Sequence, residues 1–308
     1  MSSAFPHASL GDDVEYLLLP RSEGTVRRVR RLRKALYGLR KSPKYWQQFF
    51  VAKVAEFGRK RSLVDPQFFY HPETGSLMVA HVDDILITAD KEILDDLCKA
   101  MDEKFLLRWE KDMDENWTKF LGKQWRRLPS AIEVRIPMKY VQEILEQHGL
   151  QKCRSVATPG EAVHTVDVTP MLDADQHRRY RSAIGSLMWM VAERPDITNA
   201  VRELSRKASQ PTQQDWGCMK RVLRYLAGTQ GYVLRLTVDD TMDLRGAADA
   251  AWAAGPDRKS VTGGVVRYGG LLLGSFSKTQ VSIAQSTCEA ELVAMNAVAC
   301  ELMGLKSL

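Results

Sequence analysis

No apolar run in this sequence approaches the roughly 20 residues that a membrane-crossing helix needs, so no membrane partner is expected. The opening "MSSAFPHASLGDD" lacks both a basic leader and an apolar stretch, and it does not read as a secretory signal. Cysteines are few: Cys98, Cys153, Cys218, Cys288 and Cys300 are scattered without a CxxC pair. That pattern argues for reduced thiols in an intracellular setting and against a zinc site. Internal repeats and low-complexity tracts are absent. What remains is 308 residues with 44% hydrophobic content, enough for a packed core and for two or three domains.

Acid is scarce in one place. Between Val26 and Arg61 there are 13 Lys or Arg against the single acid Glu56, although the whole chain carries only +6. The remainder is therefore net negative, and the positive field belongs to one segment. Such a segment suits a polyanion such as nucleic acid; a solvated basic face is the alternative. Leu32, Leu36, Tyr37, Leu39, Tyr45 and Trp46 interleave the charges and argue against a disordered arm.

Ser42-Pro43 predicts a helix start, with Ser42 as the cap. Trp46, Phe49, Phe50, Val54 and Phe57 then recur at helical spacing up to Gly58, as a core stripe rather than a base-stacking surface. Residues 77–82 and 85–89 read as a hairpin with Asp83-Asp84 at its turn. Asp90 can cap a helix whose apolar face is Leu94, Leu97, Met101 and Phe105. "TKFLGKQWRR" and "AIEVRI" form a second hairpin through Leu128-Pro129-Ser130, followed by a helix over 138–148 that Gly149 stops. A polar connection, "KCRSVATPGEAVHTVDVTPMLDADQ", is the best boundary candidate. Beyond it, helices are expected over Tyr180–Ala192, Asp196–Ser209 and Thr212–Ala227, with Met188, Trp189 and Met190 as packing residues. From about Thr241 the pattern turns to a three-strand meander with Gly269-Gly270 at its last turn. Ser286 and Glu289 then open a final helix at capping-box spacing, with Leu292, Met295, Ala299 and Leu302 as its buried face.

Two pairs of carboxylates carry the chemical interest. Asp83 and Asp84 are adjacent at a turn, where they either stay solvated as ordinary turn residues or share a hard divalent cation. Two-metal phosphoryl transfer uses such a site. Asp249 and Glu289 lie on the first meander strand and in the first turn of the last helix. They could meet at a nuclease-like metal site, while Glu289 is equally explained as the partner of Ser286.

Taken together, the segments resemble the Pol polyprotein of copia-type LTR retrotransposons over its reverse transcriptase and RNase H part. "LRKALYGLRKSPKYWQQFF" resembles the family's LYGLKQ segment, "LVDPQFFYH" its S-D-P-x-x-Y strand, and "HVDDILITAD" its YVDD hairpin. "KFLGKQW" looks like its F-L-G primer-grip strand. "YRSAIGSLMWMVAERPDITNAVRELSRKASQPTQQDWGCMKRVLRYLAGT" is similar to the long helical connection, and "ADAAWAAGPDRKSVTGGVVRYGG" to the start of RNase H.

The resemblance implies an α/β (α+β) fold: a right-hand polymerase fingers and palm fragment over 1–150, a helical thumb or connection over 151–240, and the first half of an RNase H-like domain over 241–308. It implies RNA-directed DNA synthesis with two Mg2+, Mn2+ being a substitute. Asp83 and Asp84 would be the palm metal ligands, and Asp249 and Glu289 the first RNase H acids. Tyr37 and Gly38 would lie beside the incoming deoxynucleoside triphosphate. Arg33, Lys34, Arg40, Lys41, Phe120, Leu121 and Gly122 would hold an RNA or DNA template–primer. The setting implied is cytoplasmic, in a virus-like particle, or nuclear; oligomeric state is left open. His81 replaces the usual Tyr, Lys41 the usual Gln, and Ala251 the second Asp of the S-D-A-D-W segment. Aligning Ala4-Phe5 puts the first catalytic Asp one residue before Met1, and the later RNase H carboxylates beyond Leu308. Each metal cage is then expected to be incomplete, and a non-catalytic nucleic-acid-binding remnant is the alternative function.

Overall fold

The computed structural model describes residues 4–19, 28–105, 107–160, 169–237, 241, 243–254 and 257–307. Val26 and Arg27 of the basic run and residues 161–168 of the polar connection lie outside the described residues. The chain forms two compact units, Met1–Asp112 and Met113–Ser307.

In the first unit, a 3-10 turn at Phe5–His7 precedes an antiparallel pair, β1 (Glu15–Leu18) and β2 (Val29–Leu32). Helix α1 (Ser42–Ala55) leads into β3 (Lys60–Arg61), β4 (Phe68–Tyr70), β5 (Leu77–His81) and β6 (Asp84–Thr88). These four strands form an antiparallel sheet in chain order, closed by α2 (Lys91–Asp102). The helical stripe is core: Trp46, Phe50 and Val54 are buried with Phe69, Met78, Leu97, Met101 and Phe105. Phe50 is the hub, its ring 5.4 Å from Trp46, 5.6 Å from Phe105 and 5.7 Å edge-on from Phe69. Each such ring contributes roughly 1.5–3 kcal/mol by leaving water.

Ser42 departs from expectation. It lies inside the first turn of α1 and makes no cap bond. Its hydroxyl instead accepts from the Leu36 amide (3.1 Å) and donates to the Leu36 carbonyl (2.7 Å). The hydroxyl therefore clamps the loop before the helix, a competing use of serine that sequence spacing does not distinguish from capping.

The second unit opens with β7 (Thr118–Phe120), β8 (Lys123–Leu128) and β9 (Ala131–Arg135), followed by α3 (Met138–Gln147). Helices α4 (Ala174–Met190), α5 (Thr198–Arg206) and α6 (Gln213–Gly228) follow, with a 3-10 turn at Pro195–Ile197. Asp173 caps α4 through the Gln176 amide, which extends that helix six residues upstream of the expected start. Thr212 and Asp215 form a capping box on α6. Tyr180, fully buried, donates to the Leu204 carbonyl (2.8 Å) and ties α4 to α5. Strand β10 (Leu234–Thr237) returns to pair with β9, giving an antiparallel sheet in the order β10-β9-β8-β7.

The meander is β11 (Leu244–Ala251), β12 (Val261–Tyr268) and β13 (Leu271–Thr279), covered by α7 (Thr287–Lys306). The expected buried face of α7 is wrong. Ala290, Ala294 and Val298 are buried, whereas Leu292 and Met295 are 65% and 61% exposed. The helix is apolar all round, so spacing alone could not choose a face, and close approach to the sheet selected the small side chains. Gly246 marks that approach: a methyl group added there would lie 2.4 Å from Val298. Met188 is likewise exposed, and only Met190 of its trio is buried.

The architecture is thus a mixed fold of antiparallel sheets and seven α-helices among the described residues. No helix among them is long and apolar enough to cross a membrane.

Candidate functional site

The hairpin β5–β6 presents the first acidic pair, one residue out of the expected register. His81 pairs with Asp84, so the two-residue loop is Val82-Asp83 and Asp84 already begins β6. Val82 adopts φ = 54°. A β-branched residue in the left-handed region is an outlier that costs about 1–3 kcal/mol. The loop turns Asp83 inward: its Oδ1 accepts from the Ala4 amide at 2.8 Å, and its Oδ2 accepts from the Tyr37 hydroxyl at 2.8 Å. Asp84 is exposed. His81 is hydrogen-bonded through Nδ1 to Gln67 (3.1 Å).

Tyr37 reaches Asp83 because its loop is held from two sides. Ser42 clamps Leu36, and the Phe5 ring packs 4.4 Å from the Tyr37 ring. Partial burial of the phenol, then its bond to Asp83 and the charge of Asp83, push its pKa above the ordinary tyrosine value. Gly38 follows at φ = 96°, with open space beside its Cα. Asp83, Tyr37 and Gly38 are therefore neighbours, while Ser42 and Phe5 were missed as the residues that position them.

Arg33, Lys34 and Arg40 are exposed. Lys41 differs: its ammonium is paired with Asp13 at 2.7 Å, and that bond raises its pKa. Both partners are exposed, so the pair is weak and breakable.

In the second unit, Phe120-Leu121-Gly122 is not part of one strand. Phe120 pairs with Lys123, and Leu121-Gly122 is the hairpin loop, at φ = 49° and 77°. Two left-handed residues give the type I′ turn favoured between twisted strands. The turn is docked on the end of α4. A methyl group at Gly122 would lie 3.2 Å from the Trp189 ring. Lys123 Nζ donates to the Trp189 carbonyl (2.8 Å), sits 3.5 Å over that ring, and forms a short ion pair with Glu193. Burial lowers the Lys123 pKa, and Glu193 opposes that shift.

Asp249 is exposed on β11, paired with Gly263. Glu289 works as a cap: the Ser286 hydroxyl accepts from its amide (3.1 Å), and its carboxylate accepts from the Gln285 amide (2.7 Å). Gln280 Nε2 donates to Thr262 Oγ1 and the Ala290 carbonyl, and Thr262 pairs with Ala250. The first turn of α7 and Asp249 therefore share one end of the meander. Among the described residues, no three His, Cys, Asp or Glu side chains gather to hold a metal ion. The carboxylate oxygens of Asp83 and Asp84 are the donor type that Mg2+ or Mn2+ takes.

A buried charged centre at Arg194 escaped sequence reasoning. Arg194, 4% exposed, donates to Asp196 through Nε (2.9 Å) and a terminal nitrogen (2.7 Å), and to the Thr229 carbonyl and hydroxyl. The Tyr225 hydroxyl also donates to Asp196 (2.7 Å). The available signal was an Arg and an Asp bracketing Pro195, which turns the chain so that the two side chains face each other.

Comparison with known proteins points one way. The family profile described as "Reverse transcriptase (RNA-dependent DNA polymerase)" matches residues 1–162. The retrovirus-related Pol polyprotein from transposon RE2 of Arabidopsis thaliana is 31% identical across 100% of this chain, which covers 21% of that polyprotein. The Pol polyprotein from transposon TNT 1-94 of Nicotiana tabacum is 30% identical across 99% of the chain, which covers 24% of it. An uncharacterized mitochondrial protein of Arabidopsis thaliana is 29% identical over 73% of this chain and 92% of its own length. The chain thus spans about a fifth to a quarter of the Pol polyproteins it matches.

Proposed function

We propose a function from one premise: the chain belongs to the reverse transcriptase (RNA-dependent DNA polymerase) family. In this reading it is the RNA-directed DNA polymerase segment of a retrotransposon Pol polyprotein. It extends a primer with deoxynucleotides on an RNA or DNA template. The observation that carries this is the β5–β6 hairpin, which presents adjacent carboxylates, one of them bonded to the Tyr37 hydroxyl.

Each part of the chain then has a task. Asp83 and Asp84 would hold a divalent cation, whose charge would lower the cost of charge developing on the transferred phosphate. Tyr37 fixes the rotamer of Asp83 and lays its ring beside the nucleotide, with Gly38 leaving room for the sugar. Arg33, Lys34 and Arg40 follow the template–primer phosphates, and Lys41 joins them once released from Asp13. The Phe120-Leu121-Gly122 turn, braced by Lys123 on Trp189, holds the primer strand. Residues 1–150 serve as fingers and palm, 151–240 as thumb or connection, and 241–308 as the start of an RNase H-like domain. Asp249 and Glu289 are the acids of that last domain. The expected setting is intracellular, cytoplasmic or nuclear.

A second reading, nucleic-acid binding without catalysis, is favoured by the engagement of Asp83 with Ala4 and Tyr37. Primer extension on an RNA template with Mg2+ or Mn2+ separates the two. Extension abolished by Asp83→Asn supports polymerase function. Salt-dependent template–primer binding with no extension supports the second reading. Extension that survives both Asp83→Asn and Asp84→Asn overturns the assignment of the hairpin.

A further inference from the structure

Among the described residues, Arg59 is buried with no carboxylate bonded to it. It is 4% exposed, it follows Gly58 at the end of α1, and burial lowers its pKa. A guanidinium carries five N–H donors. Two are accounted for: one terminal nitrogen donates to the Ser76 hydroxyl (3.0 Å), and the other makes a long contact to the Ser76 carbonyl (3.4 Å). Its Nε has no partner. An uncompensated buried cation of this kind is costly.

Arg59 lines a cavity of about 220 Å³ between the β4–β5 turn and α2. The polar groups of the turn have used their acceptors on one another. His71 Nδ1 accepts from the Glu73 and Thr74 amides (both 3.3 Å), which places the ring proton on Nε2. That Nε2 faces Gly58, adjacent to Arg59: a methyl group at Gly58 would lie 2.6 Å from it. Thr74 Oγ1 accepts from the Ser76 amide (3.4 Å) and contacts the Ser76 hydroxyl (2.9 Å). Either hydroxyl can be the donor in that contact, so one of the two protons, on Thr74 or on Ser76, is not used between them. The acid on the wall, Asp96, has a side chain 83% exposed and is turned to Lys99 (3.5 Å). The wall therefore carries a guanidinium whose Nε has no partner, with the His71 imidazole and the Thr74 and Ser76 hydroxyls beside it.

We propose that this cavity binds a small oxyanion, a free phosphate or the head of a phosphate monoester. A water occupies about 30 Å³ of liquid volume, so the space takes a phosphate-sized group with room to spare. Arg59 is 4% exposed, which favours a small oxyanion over the backbone of a polynucleotide. The site stands at the end of β5 opposite the Val82-Asp83 loop, five residues or about 17 Å away. It is thus separate from the candidate polymerase site and does not depend on that reading.

The test uses the full chain with 15N-labelled arginine and follows the Arg59 Nε–Hε resonance, identified by its loss in Arg59→Lys. Inorganic phosphate should shift this resonance saturably over roughly the millimolar range. Sodium chloride at matched ionic strength and a single-stranded oligonucleotide should leave it in place. A second readout needs no variant: phosphate, against matched chloride, should raise the Tm of the wild-type chain and slow exchange of the Ser76 amide. His71→Phe should weaken the phosphate response at least threefold. A resonance that ignores phosphate, follows chloride equally, or moves only with the oligonucleotide overturns the proposal.

Discussion

Asp196→Asn should destabilise the Met113–Ser307 unit by about 3 kcal/mol. The carboxylate accepts from Arg194 at 2.9 and 2.7 Å and from the Tyr225 hydroxyl at 2.7 Å. The asparagine keeps one oxygen and turns an NH2 toward a guanidinium that is only 4% exposed. Breaking a buried pair by removing one partner costs about 3–5 kcal/mol, because the surviving charge stays desolvated. Two features favour the lower end. Arg194 retains its bonds to Thr229, and the Asp196 side chain is 31% exposed, so water can reach it. Replacing both charges, as in Arg194→Met with Asp196→Leu, should cost less than the single change. The sign of the pH dependence follows from the folded carboxyl. Burial alone would raise its pKa, but the bonds from Arg194 and Tyr225 and the charge of Arg194 bring it below the ordinary value of 3.8. Its contribution is therefore fully present above the unfolded pKa and is lost as pH falls through the lower folded value. Native-state hydrogen exchange of the α6 amides, at pH 7 and in acid, measures both effects. A loss under about 1 kcal/mol at pH 7, or a difference between wild type and variant that does not shrink as the pH falls below the ordinary carboxyl range, would refute the argument.

Trp46→Ala should cost the first unit about 3–5 kcal/mol by urea titration, since the ring is 5% exposed and touches Phe49, Phe50 and Phe105. Gly122→Ala should cost about 1–3 kcal/mol, because it forces a side chain into φ = 77° against Trp189; thermal melting reads the destabilisation. Neutralising Arg33, Lys34 and Arg40 together should flatten the log–log salt slope of template–primer binding by about 0.9 for each phosphate left without its cation. Asp13→Asn should strengthen binding at low salt by releasing Lys41, and unchanged affinity would place Lys41 off the nucleic-acid path.

Periodicity made the elements legible where one face was clearly apolar. The α1 stripe and the α2 face were readable because their buried side chains are large and recur at helical spacing. Helix α7 was not, because nearly every face of it is apolar, and the choice fell to Gly246 on a distant strand. Two turns fell one or two residues from expectation, whereas Gly269-Gly270 lies at the β12–β13 turn as expected. Asp83-Asp84 looked like the loop because aspartate favours turns, yet pairing of His81 with Asp84 moved Val82 into it. Phe120-Leu121-Gly122 looked like strand because the run is apolar, although a left-handed leucine precedes the glycine. The candidate site was legible as Asp83 and Tyr37, but not as the bond between them. That bond depends on Ser42 and Phe5, whose long-range roles leave no local pattern.

Val82 has a consequence for how copies of this sequence diverge. At φ = 54° a glycine or asparagine would rest more easily than a β-branched side chain. Relaxing that residue would make the chain sturdier while loosening the tip that aims Asp83 at Tyr37. Robustness and aim therefore pull position 82 in opposite directions. Under the proposed function, copies under no demand on the carboxylate should tolerate glycine or asparagine there, and copies still under that demand should keep the strained side chain. Under the proposed function, position 82 would gauge the demand on the hairpin without any assay of the acids themselves.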